Sequence, residues 1–381
     1  MEFMFGIPSF VQFGCGVAKR TGQVAKDLGA KKVFFVYDKG VKAAGLVDVV
    51  LSSLKEAGLE ILEYDGVLPN PPETIVEEAA KLAKDFQADV MVALGGGSSI
   101  DCAKAINILQ TNPSPINQYD GINMVKNPTK PLIAIPTTSG TASEVTGFSI
   151  VTDTVEKRKM CIGGQFVGAT MALADPEMTV GMPPAITAAT GMDALTHAIE
   201  AYVSKAAMVP TDLFALKAIE LIYGSLEKAA TNGKDLEART NMLLGSMLAG
   251  YAFNSAVLGL VHGIAHPLSA HCHLPHGVAN AIGLPFVVEF NGIAVPEKTK
   301  DIALAMGLDV AGKSPEEVVA VTVKAIKEMS ENLKIPKLSE LDVPKDLFGR
   351  LADDALREAA TMFNPRDVTK EDVLQILEKA Y

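Results

Sequence analysis

VMVALGGGSSIDCAKA, residues 90–105, decides how the first half of this chain is read. A short apolar run ends in three glycines, and Ser98, Ser99 and Asp101 then open a helix-like pattern. An apolar strand that turns through glycine into a helix is one βα unit of a parallel sheet. Backbone N–H groups at a helix start bind anionic oxygens, and glycines let a phosphate approach the backbone. The run matches neither G-x-G-x-x-G nor G-x-x-x-x-G-K-[ST]. A phosphate loop and a tight strand–helix turn therefore both fit Gly95, Gly96, Gly97, Ser98 and Ser99.

Working outward, the same unit recurs. KKVFFVYDKG (31–40) is a β-rich run ending in Asp38 and a turn. VDVVLSSLKEAGLEILEYDGV (47–67) and ETIVEEAAKLAKDFQADVMVALGGG (73–97) each read as helix then strand. PLIAIPTTSGTASEVTGFSIV (131–151) begins as a strand and breaks into a Gly/Ser/Thr turn. Strand–helix alternation at this spacing predicts a parallel sheet with covering helices. Asp38, at a strand end, suits either a ribose diol or a plain turn. Thr137, Thr138 and Thr141 suit either a phosphate or nicotinamide site or a loop.

The rhythm changes at ADPEMTVGMPP (174–184), with its three prolines. Helical patterns follow at 183–204, 211–230, 314–333 and 369–381, the second with a Thr-Asp start and the last two opening on a capping residue and an acidic first turn. The expected domains are 1–180 and 181–381. A chain of 381 residues is long enough for two cores. Its formal net charge of −11 supplies no basic field for nucleic acid or anionic membranes. Cys15, Cys102, Cys161 and Cys272 are scattered, and MEFMFGIPSFVQFG lacks the basic segment and apolar run of a signal peptide. A reducing, cytoplasmic setting is expected. Residues 242–261 are apolar enough in length to span a bilayer, but Asn254 and three glycines favour a buried core helix.

The six histidines are His197, His262, His266, His271, His273 and His276. Five fall within fifteen positions, in a stretch (240–288) without a single Asp, Glu, Lys or Arg. Buried imidazoles there need partners, and a metal is one such partner. Asp193 and His197 share a helix face, as do His262 and His266, while His276 is expected at a turn beyond that helix. A carboxylate and neutral imidazoles suit Fe, Zn, Co or Ni. Histidines satisfied within the core are the alternative, as is an Asp193–His197 pair alone.

GGGSSIDCAKA (95–105), IPTTSGTASEVT (135–146), TGMDALTHAIEAYVS (190–204), GLVHGIAHPLSAHCHLPHGVANAIGLP (259–285) and FNPRDVT (363–369) closely resemble the iron-containing (group III) alcohol dehydrogenase family. The likeness covers essentially the whole chain, and within the family it leans to the lactaldehyde reductase, propanediol dehydrogenase and short-chain primary alcohol dehydrogenase branch. The resemblance implies an N-terminal Rossmann-like α/β dinucleotide-binding domain and an all-α C-terminal metal-binding domain, a plan shared with dehydroquinate synthase. It implies Asp193, His197, His262 and His276 as ligands of Fe2+, with Zn2+ or another divalent metal able to take the same set. His266 matches a histidine beside that centre, a candidate proton relay. NAD is the implied cofactor. Its residues by resemblance are Asp38, which matches an acid of NAD-preferring members, Asn70 with Pro71, Gly95, Gly96, Gly97, Ser98, Ser99, Thr137, Thr138, Thr141 and Lys159.

The implied reaction is reversible oxidation of a short primary alcohol or diol to its aldehyde. A homodimer or larger homo-oligomer is implied by the resemblance alone. Ala360, Ala142, Ser269, His271 and Cys272 depart from common family residues and bear on pocket size more than on chemistry. A metal-dependent lyase of the dehydroquinate-synthase-like group and a non-enzymatic metal or nucleotide binder are the competing classes.

Overall fold

The structure is a computed structural model that describes residues 3–381. It divides into two compact units: Ile7–Met182, and Pro183–Tyr381 together with the described residues up to Gly6. The leading segment thus leaves the first unit, where the sequence reading had put it. Phe5 stacks on Phe214 with ring centroids 6.0 Å apart, which ties the segment to the helical unit.

In the first unit, β1 (Phe10–Phe13), α1 (Thr21–Asp27), β2 (Lys32–Asp38), α2 (Lys39–Ala43), α3 (Leu46–Glu56), β3 (Glu60–Val67), α4 (Glu73–Phe86), β4 (Val90–Gly95) and α5 (Gly97–Thr111) come first. They are followed by β5 (Gly121–Ile122), β6 (Leu132–Pro136), β7 (Phe148–Asp153), β8 (Arg158–Gly163) and β9 (Met171–Ala174). Six strands form one sheet in the order β1-β9-β6-β4-β2-β3, every pair parallel. Side chains alternate between its faces. Val33, Phe35, Tyr37, Val90, Val92 and Leu94 enter one core, while Phe34, Val36, Met91 and Ala93 enter the other. Both faces are therefore buried, which is why these strands read as continuous apolar runs. Each such Val, Leu or Phe contributes about 1.5–3 kcal/mol over leaving it exposed. A second small sheet, order β5-β8-β7, pairs β7 and β8 antiparallel and was not separable in the sequence.

The second unit is helical: α6 (Pro184–Val203), α7 (Val209–Thr231), α8 (Leu236–Ala256), α9 (Leu260–Cys272), α10 (His276–Gly292), α11 (Pro296–Ala305), α12 (Pro315–Asn332), α13 (Phe348–Ala355) and α14 (Lys370–Ala380). Ser314 and Glu317 form a capping box on α12, and Thr369 with Asp372 another on α14. Three sequence expectations shift. Helix α7 begins at Val209, so Thr211 lies in its first turn, where its hydroxyl accepts from the Met208 N–H at 2.9 Å. The apolar stretch 242–261 is broken: Val257 has φ 61°, and α8 and α9 meet at 101°. Among the described residues no single helix is long and apolar enough to cross a membrane. His276 opens α10 instead of lying in a turn.

Candidate functional site

Three helices bring four ligand atoms together. Asp193 and His197 sit one turn apart on α6, which is buried along nearly its whole length. His262 enters from the first turn of α9, just after the bend at Val257. His276 comes from the first residue of α10. Gly277 makes that approach possible: a Cβ there would fall 2.4 Å from the carbonyl oxygen of Ala189 on α6. Without the glycine, α10 could not bring His276 up to Asp193.

The ligand atoms of Asp193, His197, His262 and His276 all lie within 4.8 Å of one another. From Asp193 Oδ1, the Nε2 atoms of His197, His262 and His276 are 3.8, 3.9 and 3.7 Å away. Four ligands in a tetrahedron with bonds near 2.1 Å lie about 3.4 Å apart, so the Asp193–histidine separations need to close by a few tenths of an ångström and the widest pair in the set by about 1 Å, within reach of side-chain rotation. One carboxylate and three imidazoles form a donor set for a divalent transition metal. The residues present therefore fit the metal that the sequence implied. Asp193, His197 and His262 are buried, whereas the His276 side chain is 26% exposed. Of the four, His276 is thus the one that reaches toward solvent.

Two neighbours of the cluster escaped the sequence reading. Glu200 Oε2 lies 2.5 Å from His262 Nδ1, and Glu200 Oε1 accepts from the Val261 N–H at 2.6 Å. Burial pushes the Glu200 carboxyl up, to about 7, against the hydrogen bonds it accepts. The Asn280 amide nitrogen lies 2.6 Å from Asp193 Oδ1 and 3.1 Å from Nε2 of both His262 and His276. The signal for both was spacing. Glu200 follows Asp193 and His197 at i+7 and i+3, and Asn280 follows His276 at i+4, each on one helix face.

His266 stands beside the cluster and outside it. Its ring stacks on His276 with centroids 5.4 Å apart, and its Nδ1 lies 2.8 Å from Glu358 Oε2. His271 turns away to Asp354, 2.8 Å from its carboxylate. His273 caps the end of α9 in a left-handed conformation, φ 56°. Five crowded histidines therefore resolve into two cluster members, one neighbour and two outsiders.

Most cofactor candidates gather at the carboxyl ends of parallel strands, where ligands of open α/β sheets bind, while Lys159 lies within β8 of the second sheet. Asp38 ends β2, Gly95 ends β4 with residues 96–99 following it, and Thr137, Thr138 and Thr141 follow β6. These three strands are neighbours in the sheet. Asp38 Oδ1 accepts from the Val41 N–H at 3.0 Å and so caps α2, while Oδ2 accepts from Ser99 Oγ at 2.9 Å. Asn70, φ 50°, donates its N–H to Ser98 Oγ at 3.4 Å. Its carbonyl oxygen accepts from Thr152 Oγ1 at 3.1 Å, and Thr152 pairs with Lys159 across β7 and β8. The glycines answer to more than a ligand. A Cβ on Gly97 would lie 2.7 Å from Thr141 Cγ2, so the glycine loop and the threonine loop pack directly together.

Beneath these loops lies a second feature absent from the sequence reading. Lys104 is buried on α5 and donates to Ser143 Oγ at 3.0 Å, Thr146 O at 3.0 Å and Phe148 O at 2.5 Å. Asp101 accepts from Ser143 Oγ and lies 3.7 Å from the Lys104 ammonium. Glu144 is buried as well, and burial pushes its carboxyl up to about 7. These groups tie α5 to the threonine loop through polar contacts, on a strand–loop–helix segment that reads as apolar and small.

Two family models match the chain, an iron-containing alcohol dehydrogenase model over residues 8–176 and the C-terminal model of the same family over 187–381. The chain is 42% identical over 382 residues to a 1,3-propanediol dehydrogenase of Klebsiella pneumoniae, covering 100% of this chain and 99% of that one. It is 40% identical over 377 residues to an NAD-dependent methanol dehydrogenase of Bacillus methanolicus, covering 99% of each. A crystal structure of a 1,3-propanediol oxidoreductase superposes with a TM-score of 0.98 at 41% identity over 100% of both chains. With an α/β unit carrying a glycine loop and a helical unit carrying an Asp/His3 cluster, the chain belongs to the iron-containing alcohol dehydrogenase family.

Proposed function

We infer that this chain is a metal-dependent, NAD-linked alcohol dehydrogenase that interconverts short primary alcohols or diols and their aldehydes. The observation that carries the reading is the convergence of one carboxylate and three imidazoles, three of the four residues buried, in a chain of this family. The net reaction takes an alcohol and NAD+ to an aldehyde, NADH and a proton. A bound divalent metal supplies Lewis-acid polarisation of an alcohol or carbonyl oxygen, and a bound nicotinamide supplies hydride acceptance.

The chain's own residues do the rest. Asp193, His197, His262 and His276 hold the metal, and the exposed edge of His276 leaves the approach for a small substrate. The turn at residues 95–99 offers the N–H groups of the α5 start to a pyrophosphate. Asp38 offers a carboxylate to a ribose diol and opposes a 2′-phosphate by like charge. With Nδ1–H directed at Glu358, His266 has Nε2 as the atom that accepts a proton. Its partial exposure gives that proton a way to water. Iron is the metal proposed, on the family's description, and zinc suits the same nitrogen and oxygen donors.

The test is a panel of short alcohols, diols and aldehydes with NAD and NADP, on protein loaded with defined metals. Metal-dependent formation of reduced nicotinamide from methanol, ethanol or 1,3-propanediol, with higher kcat/KM for NAD, is the expected result. Metal-dependent consumption of a substrate with no net reduced nicotinamide would point to a lyase instead. Equal or better use of NADP would defeat the role of Asp38.

A further inference from the structure

We propose that Glu200 is a positioning residue of the metal centre, holding the His262 ring so that Nε2 keeps its lone pair toward the other ligand atoms. The proposal rests on the metal reading above and adds a residue outside the four donors.

Glu200 is 3% exposed and lies on the α6 face that carries Asp193 and His197. The His262 ring is gripped at both nitrogens. At Nε2 it meets the Asn280 amide nitrogen at 3.1 Å, and at Nδ1 it meets Glu200 Oε2 at 2.5 Å. The same Asn280 nitrogen lies 2.6 Å from Asp193 Oδ1, so the amide must present N–H here, since its oxygen would face a carboxylate. With one amide hydrogen on Asp193, the other can serve the Nε2 lone pair of His262 or of His276. In a neutral His262 ring the proton is on Nδ1, where Glu200 Oε2 accepts it. The Glu200 contact thus selects the tautomer that ligates through Nε2, and the Asn280 amide, with one hydrogen for Asp193 and one for an imidazole, is compatible with it.

The backbone under His262 is fixed as well. Glu200 Oε1 accepts from the Val261 N–H, and Asn364 Oδ1 accepts from the Leu260 N–H at 3.4 Å. Asn364 and Asn291 exchange amide hydrogen bonds at 2.8 Å each. A Cβ on Gly259 would meet Glu200 Oε1 at 3.1 Å and Asn364 Oδ1 at 3.3 Å, so the chain entering α9 is packed between the two side chains. Carboxylate partners of this kind orient a metal-bound histidine, and losing one typically weakens metal affinity about 10–100-fold.

Glu200→Gln separates this role from space filling, because glutamine keeps the volume. Its single carbonyl oxygen serves either Val261 or His262, and its amide nitrogen favours the wrong tautomer at Nδ1. Co2+ titration, followed by visible d–d absorption, should show one site per chain in the parent and about 10–100-fold weaker binding in the variant. The melting temperature of the metal-free variant should stay close to the parent's. Parent affinity in Glu200→Gln would overturn the proposal. A parent that takes up no Co2+ would sink the metal centre itself, and the proposal with it. Should Glu200→Gln fail to fold, 15N NMR of the metal-free parent decides: a protonated Nδ1 on His262 supports the assignment, and a protonated Nε2 overturns it.

Discussion

The two units build their sites by opposite means. In the α/β unit most candidate groups come as two short local runs at neighbouring strand ends, residues 95–99 and 137–141, made mostly of backbone and small side chains, with Asp38, Asn70 and Lys159 added singly. In the helical unit the groups are large side chains from α6, α9 and α10, separated by up to 83 positions between Asp193 and His276. A parallel sheet delivers the loops after its strands to one edge, so short runs from neighbouring strand ends gather there. A helical array delivers single side chains to a point, so the ligands must be scattered through the sequence. The difference predicts that substitutions in the helical unit remove chemistry, whereas substitutions in the α/β unit change nucleotide affinity.

The largest expected effect is at His262. His262→Ala should abolish stoichiometric metal and lower kcat/KM by about a thousandfold or more, since Lewis-acid stabilisation is worth several kcal/mol. Metal analysis and NAD-linked turnover on the same sample check it. Next is His266→Ala, which should keep one metal per chain and slow turnover by about a hundredfold, the lower range for a proton-transfer group. Complete metal loss in that variant would make His266 a ligand and blur the boundary drawn around the cluster.

Gly97→Ala probes the other unit. Its new Cβ would press on Thr141 and part the two loops, so KM for NAD should rise about tenfold while metal content holds. A loss of metal from this variant would break the division of labour between the units. The smallest effect concerns stability. The Glu144 carboxyl titrates near 7 in the folded chain, against an ordinary value near 4.5. Between those values the folded state holds a proton that the unfolded state has lost, so stability falls as pH rises through that window. Glu144→Gln should flatten the decline in melting temperature between about pH 5 and pH 7.5. An unchanged slope would remove Glu144 from the account.

Legibility in the sequence followed the same divide. Strands β2, β4 and β6 were plain because a sheet buried on both faces makes an uninterrupted apolar run. The pair Asp193–His197 was plain because one helical turn relates them. The choice of His262 and His276 over His266, His271 and His273 was not contained in spacing, and came from family likeness. Physically it depends on the bend at Val257 and the close approach at Gly277, neither of which a periodic pattern displays. Glu200 and Lys104 were missed for a related reason. Each looks like an ordinary polar position on a helix until a second element, α9 or the threonine loop, closes over it.

The central claim is that Asp193, His197, His262 and His276 hold one catalytic metal. Its most direct test is to strip the protein of metal and return Fe2+ or Zn2+ in substoichiometric steps, measuring bound metal and NAD-linked oxidation of 1,3-propanediol at each step. Turnover should rise in proportion to bound metal, level off at one per chain, and stay absent in His276→Ala. Full turnover in the metal-free protein, or in metal-depleted His276→Ala, would contradict it.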